Sequence, residues 1–221
     1  GSEMCIRDSH KGLYKQSLKI LDKAKSLAIK NQEKNIAYEI VELEKVIESQ
    51  YITRSLSNRA DELTIQAKEL SHQNVIASKL SNLSLQLYGL FLKTGYVKND
   101  SEYQKVTDYF NKRMPKYKIE ALGFREKLWL YKSYLWYSFL IQDFKSCYKY
   151  ARKWVDLFYD NETMIPLNPV FFLKGYQYLL EALFFVKHHQ KFKSVLSDFE
   201  KITEKSWFPH DDNIDGLVFL Y

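Results

Sequence analysis

FKSCYKYARKW, Phe144–Trp154, is the stretch whose reading decides the fold. An aromatic residue opens it, small Cys147 follows three positions on, and Ala151 and Trp154 fall seven and ten positions after the aromatic. That spacing places all four on one face of a helix. Two further stretches repeat the phrase, YKQSLKILDKA (Tyr14–Ala24) and FKSVLSDFEKI (Phe192–Ile202), the latter 48 residues after Phe144–Trp154. Each follows a short polar turn, "HKG", "IQD" or "HHQ", so each is expected to open a helix. Nine positions are expected to pack one repeat on the next: Tyr14, Ser17 and Ala24; Phe144, Cys147 and Ala151; Phe192, Val195 and Phe199. Small side chains at such points let two helices approach closely, and each hairpin leaves an apolar face that its neighbour covers.

Working outward, helical periodicity continues along almost the whole chain of 221 residues. Only 7 Gly and 4 Pro interrupt it, a scarcity that favours long helices. The pattern predicts helices over 12–30, 33–50, 54–71, 74–94, 100–112, 117–141, 143–159, 169–188 and 190–204, with a last one capped by Asp211 or Asp212. The first is read with Leu13, Ser17, Leu18, Leu21, Ala24, Leu27 and Ala28 inward, the second with Ile36, Ile40, Leu43 and Ile47. Leu56, Leu63, Ile65, Ala67 and Leu70 form the third stripe, and "SHQN" is read as a turn before the fourth, which carries Leu80, Leu83, Leu87, Leu90 and Phe91. Gly95 suits a left-handed position after that helix, and Asn168-Pro169 reads as a helix start. Short connections make antiparallel hairpins of neighbouring helices. The fold class is therefore all-α, about ten helices.

Tyr14/Ser17/Leu21/Ala24, Phe144/Cys147/Ala151/Trp154 and Phe192/Val195/Phe199/Ile202 resemble the tetratricopeptide repeat family, whose second helix opens with an aromatic and a small residue three on. The chain departs from that family where Leu135 and Leu183 stand in place of its small residue, and in a spacing of 48 rather than about 34 residues. "KGLYKQSLKILDKAK" and the later aromatic-rich helices are similar to a group of uncharacterised bacterial tetratricopeptide-like proteins. The resemblance implies a tetratricopeptide-like α-solenoid of antiparallel hairpins, a scaffold for protein–protein interaction that takes a peptide or helix on a concave surface. It brings no enzymatic activity and no cofactor.

"GSEMCIRDS", residues 1–9, resembles the conceptual translation of a transposase adaptor used to prepare sequencing libraries. The expectation is a non-native segment over 1–9 and one helical-repeat domain over 10–221, truncated at its N-terminus, with the apolar "GLVFLY" end open to the same reading. His10-Lys11-Gly12 is then a turn within a hairpin whose first helix is missing. The helix after it is expected to expose an apolar face that the complete protein covers. Removing 1–9 takes away Arg7, Glu3 and Asp8 and moves the formal charge from +6 to +7. It also leaves Cys147 as the lone cysteine, which fits a reducing compartment, and a cytoplasmic location is expected. The most apolar stretches, 128–141 and 170–186, are shorter than a membrane span and carry Lys132, Lys174 and Glu181. No membrane insertion is expected.

The 35 aromatics are unevenly placed, three before residue 88 and 32 from there on. Large side chains filling wide spaces between long hairpins account for most of them. Trp129, Tyr131, Tyr134, Trp136 and Tyr137 cannot all face one way, so the sixth expected helix is read as part of a binding wall. Tyr134, Tyr137, Tyr176 and Tyr178 are the partner-binding candidates. Lys11, Lys15, Lys19 and Lys23 recur every four residues and make one basic stripe. The rival readings are therefore a basic, nucleic-acid-binding helical repeat and a non-catalytic fragment of a larger regulatory protein. His188 and His189, adjacent on a helix, point about 100° apart and seldom share a metal ion, and His210-Asp211-Asp212 sits where loops and caps use such residues. With no glycine-rich phosphate loop, nucleophile elbow or HExxH, the chain is not read as an enzyme, and its partner is an unspecified protein or peptide.

Overall fold

The computed structural model describes residues 2–51 and 58–208. They form an all-helical protein of eight α-helices: α1 Ser2–Lys30, α2 Lys34–Tyr51, α3 Arg59–Thr94, α4 Asp100–Arg113, α5 Phe124–Leu140, α6 Phe144–Tyr159, α7 Pro169–Phe185 and α8 His189–Thr203. Single 3-10 turns at Ile119–Ala121 and Glu162–Met164 join α4 to α5 and α6 to α7. None of these helices is long and apolar enough to cross a membrane.

Two compact units divide the chain, 1–77 and 78–221. In the first, α1, α2 and the start of α3 share a small core of Ala28, Ala37, Val41, Leu63, Ala67 and Leu70. A buried charge network lies beside it. The Lys25 ammonium sits 2.9 Å from Glu44 and donates to Gln66 Oε1 at 3.0 Å, and Arg59 pairs with the same Glu44 carboxylate. Glu44 is 0% exposed, so its charge is tolerable only because two cations face it.

In the second unit, α5 packs on α6, α6 on α7 and α7 on α8. The core draws on Leu87, Phe124, Leu135, Cys147, Ala151, Trp154, Phe158, Phe172, Leu179, Leu183, Val195 and Phe199. Phe144 and Phe192 pack half-buried against it. The two later copies of the phrase therefore open α6 and α8 with the expected face inward.

Three hairpin turns are built alike. Gln32, Gln142 and Lys187 each follow a helix with φ near +60°. After α5, Asp143 N–H reaches back to Ser138 C=O at 2.9 Å and Gln142 N–H to Phe139 C=O at 3.1 Å. Glu33/Ala28 and Gln32/Ile29 repeat those bonds after α1, and His188/Leu183 and Lys187/Phe184 repeat them after α7. This is the double bond of a Schellman C-cap. The next helix starts at once, capped by Asp143 accepting from Ser146 N–H at 3.1 Å, or by His188 Nδ1 accepting from Lys191 N–H at 3.3 Å. Gly95, at φ +67°, closes α3 as its sequence suggests.

Several expectations change. "HKG" is not a turn: α1 runs unbroken from Ser2, and the first copy lies in the leading helix of its hairpin, not the second. Ser17 and Ala24 are exposed, while half-buried Tyr14, Leu18 and Leu21 and buried Lys25 and Ala28 make the inward row. The α2 stripe is displaced in the same way, to Ala37, Ile40, Val41 and Glu44, leaving Ile36 and Leu43 exposed. The reason is the ion network. A stripe containing Lys25 and Glu44 does not look apolar, yet the two neutralise each other inside. Leu13, Ile20 and Leu27, spaced by seven, remain as an exposed apolar row on α1. "SHQN" lies within α3, which merges the third and fourth expected helices, and Ile65 is exposed there. Ser, His, Gln and Asn weaken a helix only modestly, and neither Gly nor Pro is present to stop it. Gly123 instead delays α5 to Phe124. Leu56, "GLVFLY", and the last helix with His210, Asp211 and Asp212 lie outside the described residues.

Candidate functional site

Within the second unit, α3, α5, α7 and α8 surround an open cavity of about 590 Å³. Phe91 and Tyr96 come from the end of α3 and its turn, Trp136 and Phe139 from α5, Glu181, Phe184 and Phe185 from α7, and His189 and Phe192 from α8. Seven of these nine are aromatic. The turn that carries Tyr96 is tied to the end of α5, because Val97 N–H donates to Leu140 C=O at 2.9 Å and Gln142 Nε2 donates to Val97 C=O at 3.1 Å.

The helical period explains the lining of α7. Phe172, Leu173, Tyr176, Leu179, Leu180 and Leu183 turn into the core, so Glu181, Phe184 and Phe185 fall on the flank. Phe184 is 65% exposed and Phe185 42%. Phe185 stacks on Phe144 with centroids 4.5 Å apart and planes 13° from parallel. Tyr96 meets Phe91 edge-on at 5.3 Å, and Trp136 packs on Phe91 at 5.6 Å. The walls are thus ring faces and edges, good contact area for an apolar side chain.

Two polar features give the cavity direction. A relay from Lys174 Nζ to Gln177 Oε1, and from Gln177 Nε2 to Glu181 Oε1 at 3.0 Å, steadies the Glu181 carboxylate. Burial, then Cys147 and the Glu181 charge, push the Tyr96 hydroxyl above its ordinary pKa, so it stays a neutral donor. Trp136 is 6% exposed, yet its indole N–H makes no hydrogen bond among the described residues. A buried donor left unmet costs about 1–3 kcal/mol, and buried indole N–H groups ordinarily find a partner.

The four tyrosines expected to bind a partner go to different places. Tyr134 stacks on Tyr150 at 4.6 Å, and Tyr137 stacks on Phe110 at 4.2 Å while its hydroxyl bonds Thr107. Both face α4 and α6 rather than the cavity. Tyr176, at 3% exposure, is a core residue whose hydroxyl pairs with Tyr159. Tyr178 lies behind the wall, against Trp136 at 5.6 Å and Phe139 at 6.2 Å. So α5 contributes to a wall through Trp136 and Phe139, not through Tyr134 and Tyr137. Phe184-Phe185 is absent from the residues that sequence reasoning singles out. Its signal there is two adjacent phenylalanines in a last turn, which cannot both face the core.

Cys147 is buried, and burial first, then Asp143, pushes its thiol pKa up, which suits packing rather than nucleophilic chemistry. His188 caps α8. Lys11, Lys15, Lys19 and Lys23 are exposed along α1. No protein-family model, curated protein or solved structure matches the chain.

Proposed function

We propose that this chain is a protein-interaction module of the tetratricopeptide-like helical-hairpin class, and that the aromatic groove of its second unit takes a peptide segment of a partner. The three like-built turns and the consecutive packing of α5 to α8 support the hairpin-repeat reading. The observation that carries the binding role is the open cavity of about 590 Å³ walled by rings, with Phe184 and Phe185 exposed at its edge. A bulky apolar side chain of the peptide fills the space edged by Phe184 and Phe185.

Selection of a displayed random-peptide library against the full chain tests this. The expected consensus has a large apolar anchor. Phe184→Asp should abolish binding of the selected peptides. Phe185→Ala, which removes a ring from the same edge of the cavity, should weaken them roughly fivefold to tenfold, as truncating a contact side chain costs about 1 kcal/mol or more. Peptides that bind both variants as well as the parent protein would place the site elsewhere and sink the proposal.

A further inference from the structure

The positive charge of the second unit is concentrated. No acidic residue occurs from Ser78 to Asn99, nor from Tyr109 to Ile119. These two acid-free segments border one cleft of about 510 Å³. Lys79, Asn82 and Gln86 line it from α3, and Lys112, Arg113 and Lys116 from the end of α4 and the turn beyond. No carboxylate is among its lining residues. None of the four cations forms an ion pair among the described residues, whereas Lys25, Lys45, Arg59 and Arg152 all do.

Tyr109 organises the polar wall. The Arg113 guanidinium lies 3.7 Å above its ring, and the Tyr109 hydroxyl donates to Gln86 Oε1 at 2.8 Å. Stacking holds the planar guanidinium while leaving its N–H edges usable. The second bond engages one lone pair of the Gln86 carbonyl oxygen, and its amide N–H groups remain as donors. Complementing the α4 macrodipole explains Lys112 and Arg113 in its last turn. It does not explain Lys79 on the exposed side of α3, or Lys116 beyond Pro115.

We propose that this cleft binds a small polyphosphate-bearing ligand, a di- or triphosphate group, with Arg113 as the forked contact and Lys79, Lys112 and Lys116 as point charges. Four cations without a counter-charge match a ligand carrying three or four negative charges better than a single phosphate. The volume falls within the range of small-molecule sites, about 300–1,000 Å³. The cleft shares no lining residue with the aromatic groove, so either site can fail without the other.

Calorimetric titration of the full chain with tripolyphosphate, pyrophosphate and sulfate, at two salt concentrations, decides the matter. Saturable one-to-one binding is expected, tightest for tripolyphosphate. Combined Lys79→Glu and Arg113→Glu should weaken it at least tenfold, and Arg113→Lys severalfold. Lys15→Glu with Lys19→Glu, on the exposed stripe of α1, should leave it unchanged. All these side chains are exposed, so unchanged circular dichroism serves as the folding control. Equal affinity for sulfate, or tripolyphosphate binding that survives Lys79→Glu with Arg113→Glu, would overturn the proposal. So would a short RNA that binds while tripolyphosphate neither binds nor displaces it, since the basic surface would then be a nucleic-acid site.

Discussion

At the scale of single residues, the sharpest constraint is Gly175. A methyl group there would lie 2.7 Å from Trp154 Cδ1, inside contact distance. Trp154 has no room to retreat, being fully buried with its indole N–H donating to Phe171 C=O at 2.9 Å. Gly175→Ala should therefore cost about 1–3 kcal/mol by overpacking, read as a thermal midpoint lowered by several degrees. Adding Trp154→Phe should return part of that loss, because the two changes share one contact. A Gly175→Ala protein as stable as the parent would disprove the close approach. Cys147 carries a second residue-scale expectation. Its raised pKa and burial leave little thiolate and no access at pH 8. Exposed Cys5 should react with an aromatic disulfide reagent at once, and Cys147 only on unfolding. Rapid modification of two thiols in the folded protein would contradict this.

At the scale of elements, the hairpin turns bear a removable cost. Lys187 holds φ +58°, a left-handed conformation that glycine adopts without strain. Lys187→Gly should keep the two backbone bonds of the cap and stabilise the chain by about 0.5–1 kcal/mol. A loss of stability on denaturant titration would mean that the lysine side chain has a role its geometry does not reveal. These turns also mark what the sequence could and could not tell. Helix boundaries at glycine or proline were legible, as at Gly95 and at Asn168-Pro169. So was a start that follows a short polar turn, as at "IQD" before Phe144. The register of α1 and α2 was not, since a pattern of apolar residues assigns Lys25 and Glu44 to the outside. Only their pairing across two helices reverses that, and pairing is not local. The wall of the aromatic groove was half visible for a similar reason. Aromatic enrichment pointed to α5, but which rings face the cavity depends on the approach of α3, α7 and α8.

At the scale of the whole molecule, the two units differ in what holds them. The first has a small core in which alanines stand beside a valine and leucines, with the Lys25–Glu44–Arg59 network alongside. The second has a far larger core containing Trp136 and Trp154, and all four tryptophans of the chain lie in its sequence range. Glu44→Ala removes the buried counter-charge of Lys25 and Arg59 and leaves them only the more exposed Asp22, Glu48 and Glu62, and breaking such a buried pair costs about 3–5 kcal/mol. A core as small as that of the first unit has little surplus to absorb it. The expected result is a loss of far-UV helicity at 25 °C corresponding to α1, α2 and the start of α3. Tryptophan emission and its melting curve should stay as in the parent protein, because no tryptophan reports on the first unit. Joint displacement of both signals in one transition would show that α3, which runs through the boundary at Ala77, makes the two units unfold as one.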